Sequence, residues 1–119
     1  MFGCVKFLLV ASLLWSGMAN AGYLCSYSTT IDDSNKYNTS GGTLKSAAAI
    51  IQQERADFYH GGVSYGERDC YFDTKTNRMK IAKMLSVGSI SPKLSRHIVN
   101  GNPSIQVDIY STHIDVSYY

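Results

Sequence analysis

The sequence predicts a small α+β domain in which an antiparallel sheet of four or five strands is covered by one main helix and accompanied by a second short helix. Three observations lead to this class. Apolar residues recur at three- and four-residue steps after Thr43, as in a helix, and they alternate over residues 105–119, as in strands. Cys25 and Cys70 supply one disulfide in a chain with few large aliphatic residues.

Residues 1–21 are predicted to be a signal peptide. Lys6 precedes the apolar stretch Phe7–Trp15, and small residues lead to a cleavage position after Ala21. The stretch is shorter than the roughly 20 residues of a membrane-spanning helix. We therefore expect one α+β domain over residues 22–119 with no stable membrane insertion after cleavage. The compact leader is typical of Gram-negative bacteria and predicts a periplasmic protein, with secretion as the alternative.

The composition limits the size of the core and the class of partner. The formal net charge of the 119 residues is +2, and removal of Lys6 with the leader lowers it to +1, which disfavours nucleic-acid binding driven by charge. Cys4 also leaves with the leader, so Cys25 and Cys70 are expected to pair. A bridge over this span stabilises a fold by about 4 kcal/mol in the chain-entropy model. No Cys-x-x-Cys pattern is present, which favours a structural over a redox role.

The main helix is predicted to begin at Thr43, which can cap the following amides, and to end at Gly61–Gly62. Its apolar stripe comprises Leu44, Ala47, Ala48, Ile51, Arg55 and Phe58. Its solvent face is expected to comprise Gln52, Gln53, Glu54 and Asp57. A second, short helix is indicated by Ser91 as cap, Pro92 at its first position and Asn100–Gly101 as its end.

Two further segments are predicted to be extended. Tyr23–Ser28 reads as a strand, and Arg68–Leu85 is interpreted as a β-hairpin that turns at Asp73–Asn77. In this arrangement the disulfide would tie the first strand to the middle of the sheet. Residues Arg78–Leu85 taken alone also fit a helix, and that alternative stays open.

The C-terminal run is predicted to form a hairpin with Ser111–Thr112 as its loop. This register would pair Ile109 with Ile114 and place the other alternating apolar residues on the same face, but it sets Asp108 opposite Asp115. A single strand with a bulge is the alternative.

No motif for nucleophilic catalysis, phosphate binding or metal binding is present in the sequence, so no catalytic residue, metal or cofactor is predicted. His60 follows Asp57 by three residues and can act as a base or a ligand, although a histidine that caps the helix end is the simpler interpretation. A polar cluster on the terminal hairpin is the second candidate: His113, Asp108, Asp115 and Tyr110.

The third candidate is Tyr65 in the loop Gly61–Gly66, because flexible glycines around one aromatic residue are typical of recognition loops. A half-buried tyrosine in a small core is the competing interpretation. The basic cluster on the predicted middle hairpin is interpreted as a solubilising strand face, and binding of phosphate, lipopolysaccharide or an acidic protein surface is the alternative: Lys75, Arg78, Lys80 and Lys83.

These features together favour a non-enzymatic, exported binding protein. We hypothesise that the chain is an inhibitor or immunity protein that blocks a toxin or cell-wall hydrolase through protein–protein contact. One alternative is a small exported hydrolase or effector that uses His60 or His113 with nearby carboxylates. Another is a subunit of an envelope assembly that pairs with its partner through the C-terminal strand.

Overall fold

The computed structural model describes residues 22–119, and the signal peptide predicted at residues 1–21 lies outside them. The elements are, in chain order, β1 (Tyr23–Thr30), a 3-10 helix (Asp33–Lys36), α1 (Ala47–His60), α2 (Lys75–Arg78), α3 (Ile81–Val87), β2 (Ser89–Ile90), α4 (Pro92–Asn100), β3 (Ser104–Tyr110) and β4 (Ile114–Tyr118). The predicted α+β class is confirmed, with four strands, one main helix and shorter ones.

The sheet has the strand order β1-β3-β4-β2. The pairs β1–β3 and β3–β4 are antiparallel, whereas β2 lies parallel to β4 at Ser89 and Ile90. The sheet is therefore mixed and not wholly antiparallel. Helix α4, β3 and the turn after β3 separate β2 from its partner β4 along the chain, and a connection of that length permits the parallel direction.

The terminal hairpin is present as predicted. Ile109 pairs with Ile114, and the remaining register continues as expected to the end of β4. The N–H of Tyr110 donates to the carbonyl of His113 over 2.9 Å and closes the turn. The bulged single strand is excluded, and Asp108 does lie opposite Asp115.

Helix α1 begins later than predicted. Ser46, and not Thr43, is its N-cap, and the Ser46 hydroxyl accepts a hydrogen bond from the N–H of Ala49 over 3.2 Å. Thr43 instead forms an isolated β-bridge with Tyr37. The helix ends at Gly61, whose φ of 82° is the left-handed conformation that glycine adopts readily.

The predicted hairpin over Arg68–Leu85 is wrong, because this segment contains α2 and α3. Thr74 caps α2 by accepting from the N–H of Asn77 over 3.2 Å. The three apolar residues of α3 that point to the core recur at helical steps: Ile81, Met84 and Leu85. The helical alternative for Arg78–Leu85 agrees better with the structure, because α3 covers most of that range.

Cys25 and Cys70 are bonded, with an S–S distance of 2.09 Å. Because the middle hairpin is absent, Cys70 lies in the connection between α1 and α2, and the bridge ties this connection to β1 at the edge of the sheet. The bridge does not reach the middle of the sheet as predicted.

The core lies between one face of the sheet and the helices. It is formed by apolar side chains from every layer, including Tyr27, Ile50, Ile51, Phe72, Ile81, Leu94, Ile98, Ile105, Val107, Ile109 and Ile114. Helix α4 is the predicted second helix, and Ser91 caps it by accepting from the N–H of Leu94 over 3.1 Å. The opposite face of the sheet carries polar residues and is partly open to solvent.

Candidate functional site

A buried ionic cluster joins α1 to the connection that follows it. Arg55 and Glu54 are both fully buried, and Asp69 is 8% exposed. The Arg55 Nε donates to Glu54 Oε1 over 2.7 Å, and its Nη1 donates to Asp69 Oδ2 over 2.9 Å. The guanidinium also lies 3.8 Å from the centre of the Tyr27 ring. Glu54 was predicted to face solvent; it is buried because it is the counter-ion of Arg55 on the core face.

Hydrogen bonds keep the Asp69 carboxylate charged. Burial alone would raise its pKa, but donation from the backbone N–H groups of Phe72 and Tyr71, and then from Tyr59 and Arg55, outweighs burial and lowers the pKa. The Tyr59 pKa is raised by burial and by its hydrogen bond to the same carboxylate. The Asp69 carboxylate therefore stays ionised at neutral pH and keeps its contact with Arg55.

This cluster fixes the loop that follows α1, which we call the anchored loop (residues 61–67). The Ser64 hydroxyl donates to Glu54 Oε2. Arg55 Nη1 donates to the carbonyl of Glu67 over 2.8 Å. Asn35 in turn donates to the carbonyl of Val63 over 2.9 Å. Three points of a seven-residue loop are thus held by buried or part-buried partners.

Gly66 lets the anchored loop close over the ionic cluster. A Cβ atom at Gly66 would lie 2.7 Å from Glu54 Oε2 and 2.8 Å from Thr29 Oγ1, and still closer to the Arg55 guanidinium. Such distances are too short for any side chain, so the close approach of backbone to buried charge requires glycine here.

The anchored loop is also attached to β1. The N–H of Glu67 donates to the carbonyl of Ser28 over 3.0 Å, and both the N–H and the hydroxyl of Ser28 donate to Glu67 Oε1 over 2.9 and 2.8 Å. Hydrogen bonds from Ser28 lower the pKa of the Glu67 carboxyl. The loop therefore lies along the outer edge of β1.

Two apolar or aromatic side chains of the anchored loop remain exposed. Tyr65 is 67% exposed and Val63 is 47% exposed. They flank Ser64, whose side chain turns inward to Glu54. In the loop predicted around Tyr65, the backbone is thus fixed while the side chains of Tyr65 and Val63 are exposed. Tyr65 is not part of the core.

The four residues predicted on the terminal hairpin lie at one end of the open sheet face and around its turn. The rings of Tyr110 and His113 stack with centroids 4.4 Å apart, and His113 Nε2 lies 3.9 Å from Asp115 Oδ2. Asp108 has other partners: its carboxylate accepts hydrogen bonds from Ser26 Oγ over 2.6 Å and from the side-chain amide of Gln106. The arrangement forms a polar face with its hydrogen bonds largely satisfied.

His60 does not pair with Asp57. Its Nε2 lies 2.9 Å from Nη2 of Arg78, while the Asp57 carboxylate accepts from Asn35 and Gln53 over 2.7 and 2.8 Å. A guanidinium only donates, so Nε2 of His60 is the acceptor in this contact.

The basic cluster is not on a strand, since its members lie on α2, on α3 and at the junction between these helices. Lys80 reaches the Tyr71 hydroxyl over 3.4 Å, whereas Arg78 is buried. Over residues 22–119, no group of three or more His, Cys, Asp or Glu side chains has the geometry of a metal site. Within the same range, no helix has the length and hydropathy to cross a membrane.

The ionic cluster was missed at the sequence level, although a signal for it existed. Arg55 falls in the apolar stripe of α1, and a charge on a core face needs buried partners. Glu54 and Asp69 supply them, but the helical pattern placed Glu54 on the solvent face and did not show which carboxylates would face Arg55. No protein-family model, curated protein or solved structure matches this chain, so its site is interpreted from its own geometry.

Proposed function

We propose that this chain is an exported binding protein that inhibits a toxin or cell-wall hydrolase by inserting the anchored loop into a cleft of that partner. The observation that supports this most directly is the combination of exposed Tyr65 and Val63 with a backbone fixed from beneath. A periplasmic location agrees with the predicted leader and with the Cys25–Cys70 bridge.

Preorganisation gives such a loop its affinity. A flexible loop loses conformational freedom when it binds, whereas a loop already held by its own protein loses little. Tyrosine adds a large contact area with few rotatable bonds, and aromatic residues dominate the energy of many interfaces. The buried charges of Glu54 and Arg55 contribute to binding only indirectly, because they hold the backbone of the loop.

The two alternatives have less support in the geometry. The hydrolase hypothesis needs a histidine oriented by a carboxylate, but His60 contacts Arg78, and His113 lies 3.9 Å from Asp115 on an open face. Pairing through the C-terminal strand needs a free edge, but β4 is flanked by β3 and, at Asp115 and Val116, by β2.

The test is capture of the partner by loop variants of the oxidised protein. A double variant, Val63→Ser with Tyr65→Ala, removes the exposed side chains without touching the anchoring contacts. We expect its affinity for a captured envelope protein to fall by about tenfold or more, the loss typical of one interface hot spot. The captured protein is then assayed as a hydrolase or toxin in the presence of the chain.

Tyr37→Ala is the matched control, because Tyr37 is 49% exposed and lies outside the anchored loop. It is expected to retain full affinity and inhibition. Equal binding by the loop variant and the wild type, or a captured protein whose activity the chain leaves unchanged, would contradict the proposal.

A further inference from the structure

Arg78 is a buried cation without an anionic partner. It is 4% exposed, and within residues 22–119 no carboxylate lies within ion-pair distance of its guanidinium. Its hydrogen bonds go to the carbonyl of Phe72 over 3.0 Å and to His60 over 2.9 Å, which are both neutral acceptors. Arg55, the other buried arginine, has two carboxylates. An unpaired buried charge is costly, and an anion from outside the chain lowers that cost.

A cleft opens beside this guanidinium. It has a volume of about 270 Å³ and is lined by Arg78, Lys75, His60, Gln52 and Gln53 together with small side chains. Over the range 22–119, no Asp or Glu lines the cleft. The Lys75 ammonium and the Gln52 amide have no hydrogen-bond partner in that range, so both are available to a ligand.

The structure assigns this cleft between α1 and α2 as a binding site for a compact oxyanion, a phosphate or a carboxylate, with Arg78 and Lys75 as its cations. A guanidinium offers five N–H donors in a planar fork that matches two oxygens of such a group. Arg78 uses only part of this capacity within the protein. The site does not depend on the proposed inhibitor function, since a free anion suffices to fill it.

The other donors of the cleft suit the same ligand. The neutral Gln52 amide and the Lys75 ammonium both carry donors that rotate toward the cleft centre at little cost because neither is held elsewhere in the described chain. The contact with Nε2 of His60 orients the guanidinium from the side, so the fork is already in place before a ligand arrives. Chloride, a single atom, lacks the two separate oxygens that a planar guanidinium fork engages through parallel hydrogen bonds.

The experiment titrates the oxidised chain with inorganic phosphate, and separately with acetate, at constant ionic strength maintained with sodium chloride. The readouts are the NMR resonances of the Arg78 Nε–H and of the Gln52 and Lys75 amides. We expect saturable shifts confined to the cleft, and a rise of the unfolding midpoint with phosphate concentration. Whichever of the two anions binds more tightly identifies the class that the site prefers.

Lys75→Gln is the decisive variant because Lys75 is exposed and its removal leaves the contacts of Arg78 intact. It is expected to weaken anion binding by about tenfold, as for loss of one charged hydrogen bond. Lys83→Gln removes the same charge from exposed α3 outside the cleft and is expected to change the affinity less than about twofold. Shifts that fail to saturate with either anion, or equal weakening by the two variants, would overturn the site.

Discussion

A charged residue on a buried face determines much of the local structure of this protein. Arg55 lies at a helix position where the pattern predicts an apolar side chain. Its buried guanidinium is stabilised by two carboxylates, two aromatic rings and a carbonyl. Replacing one member of such a group leaves the others buried without compensation, which costs about 3–5 kcal/mol in comparable cases. The buried charges of Arg55 and its partners therefore connect the anchored loop to the core.

The pH dependence of stability should report on Asp69. Its folded-state pKa lies below the ordinary value of 3.8, so the stabilisation it provides is present above that value and is lost as the pH falls through the folded-state pKa. Asp69→Asn should therefore be less stable than the wild type near about pH 7, and the difference should shrink toward about pH 2. Urea unfolding across this range measures both curves.

Asp73→Asn is the control for that measurement, because Asp73 is exposed in the connection before α2. Its difference from the wild type should be small at each pH. A gap between the wild type and Asp69→Asn that stays constant down to low pH would show that the carboxylate is not held by these hydrogen bonds.

Gly66→Ala tests the close approach of the anchored loop to the ionic cluster. The new methyl group would meet the fixed head groups of Glu54 and Arg55, so we expect a loss of about 2 kcal/mol or more of unfolding free energy. Gly61→Ala is the comparison, because its φ is 82° but no atom lies within 4 Å of the added Cβ. It should cost only about 1 kcal/mol. The reverse order in thermal unfolding would contradict the packing described.

At the scale of elements, some segments follow their local sequence signals, whereas tertiary contacts determine the secondary structure of others. The end of α1, the whole of α4 and the terminal hairpin agree with their sequence signals. The start of α1 and the segment of α2 and α3 do not. In both failures more than one local interpretation is chemically reasonable, and contacts outside the helix itself select one of them: Thr43 bridges to Tyr37, and Arg78 bonds to Phe72.

The start of α1 gives a direct prediction. Ser46→Ala should lower the unfolding free energy by about 1 kcal/mol, because it leaves the N–H of Ala49 without its cap. Thr43→Ala should cost less than about half of this, since the Thr43 side chain caps nothing in the described chain. Chemical denaturation of both variants gives the comparison, and a larger loss at Thr43 would restore the earlier helix start.

At the scale of the whole molecule, each edge of the sheet has a feature that disfavours pairing with other chains. Glu67 occupies the outward N–H and carbonyl of Ser28 on β1, and β2 at the other edge has only two residues. Short or covered edges reduce edge-to-edge association. The exposed Tyr65 and Val63 of the anchored loop lie beside the point at which Glu67 covers β1.

The Cys25–Cys70 bridge should contribute strongly to global stability. Its cysteines are 45 positions apart, and closing a loop of that length in the unfolded chain corresponds to about 4 kcal/mol in the chain-entropy model. The double variant Cys25→Ser with Cys70→Ser is expected to lose about this much in urea unfolding. Reduction of the wild type should lower its stability to the same level, whereas an unchanged midpoint on reduction would show that the bridge is dispensable.

The sequence by itself determined the α+β class, the register of β3 with β4, the end of α1, the position of α4 and the partners in the disulfide. Each of these follows from a periodicity or a residue type that acts over a few positions, or from the fact that two cysteines remain after a predicted cleavage. Only the tertiary structure decided that Glu54 is buried, that Asp57 and His60 separate, that Arg78 lines a cleft and that β2 runs parallel to β4. Those features depend on which distant groups satisfy a buried charge or a free backbone amide, and the pattern along the chain does not contain that information.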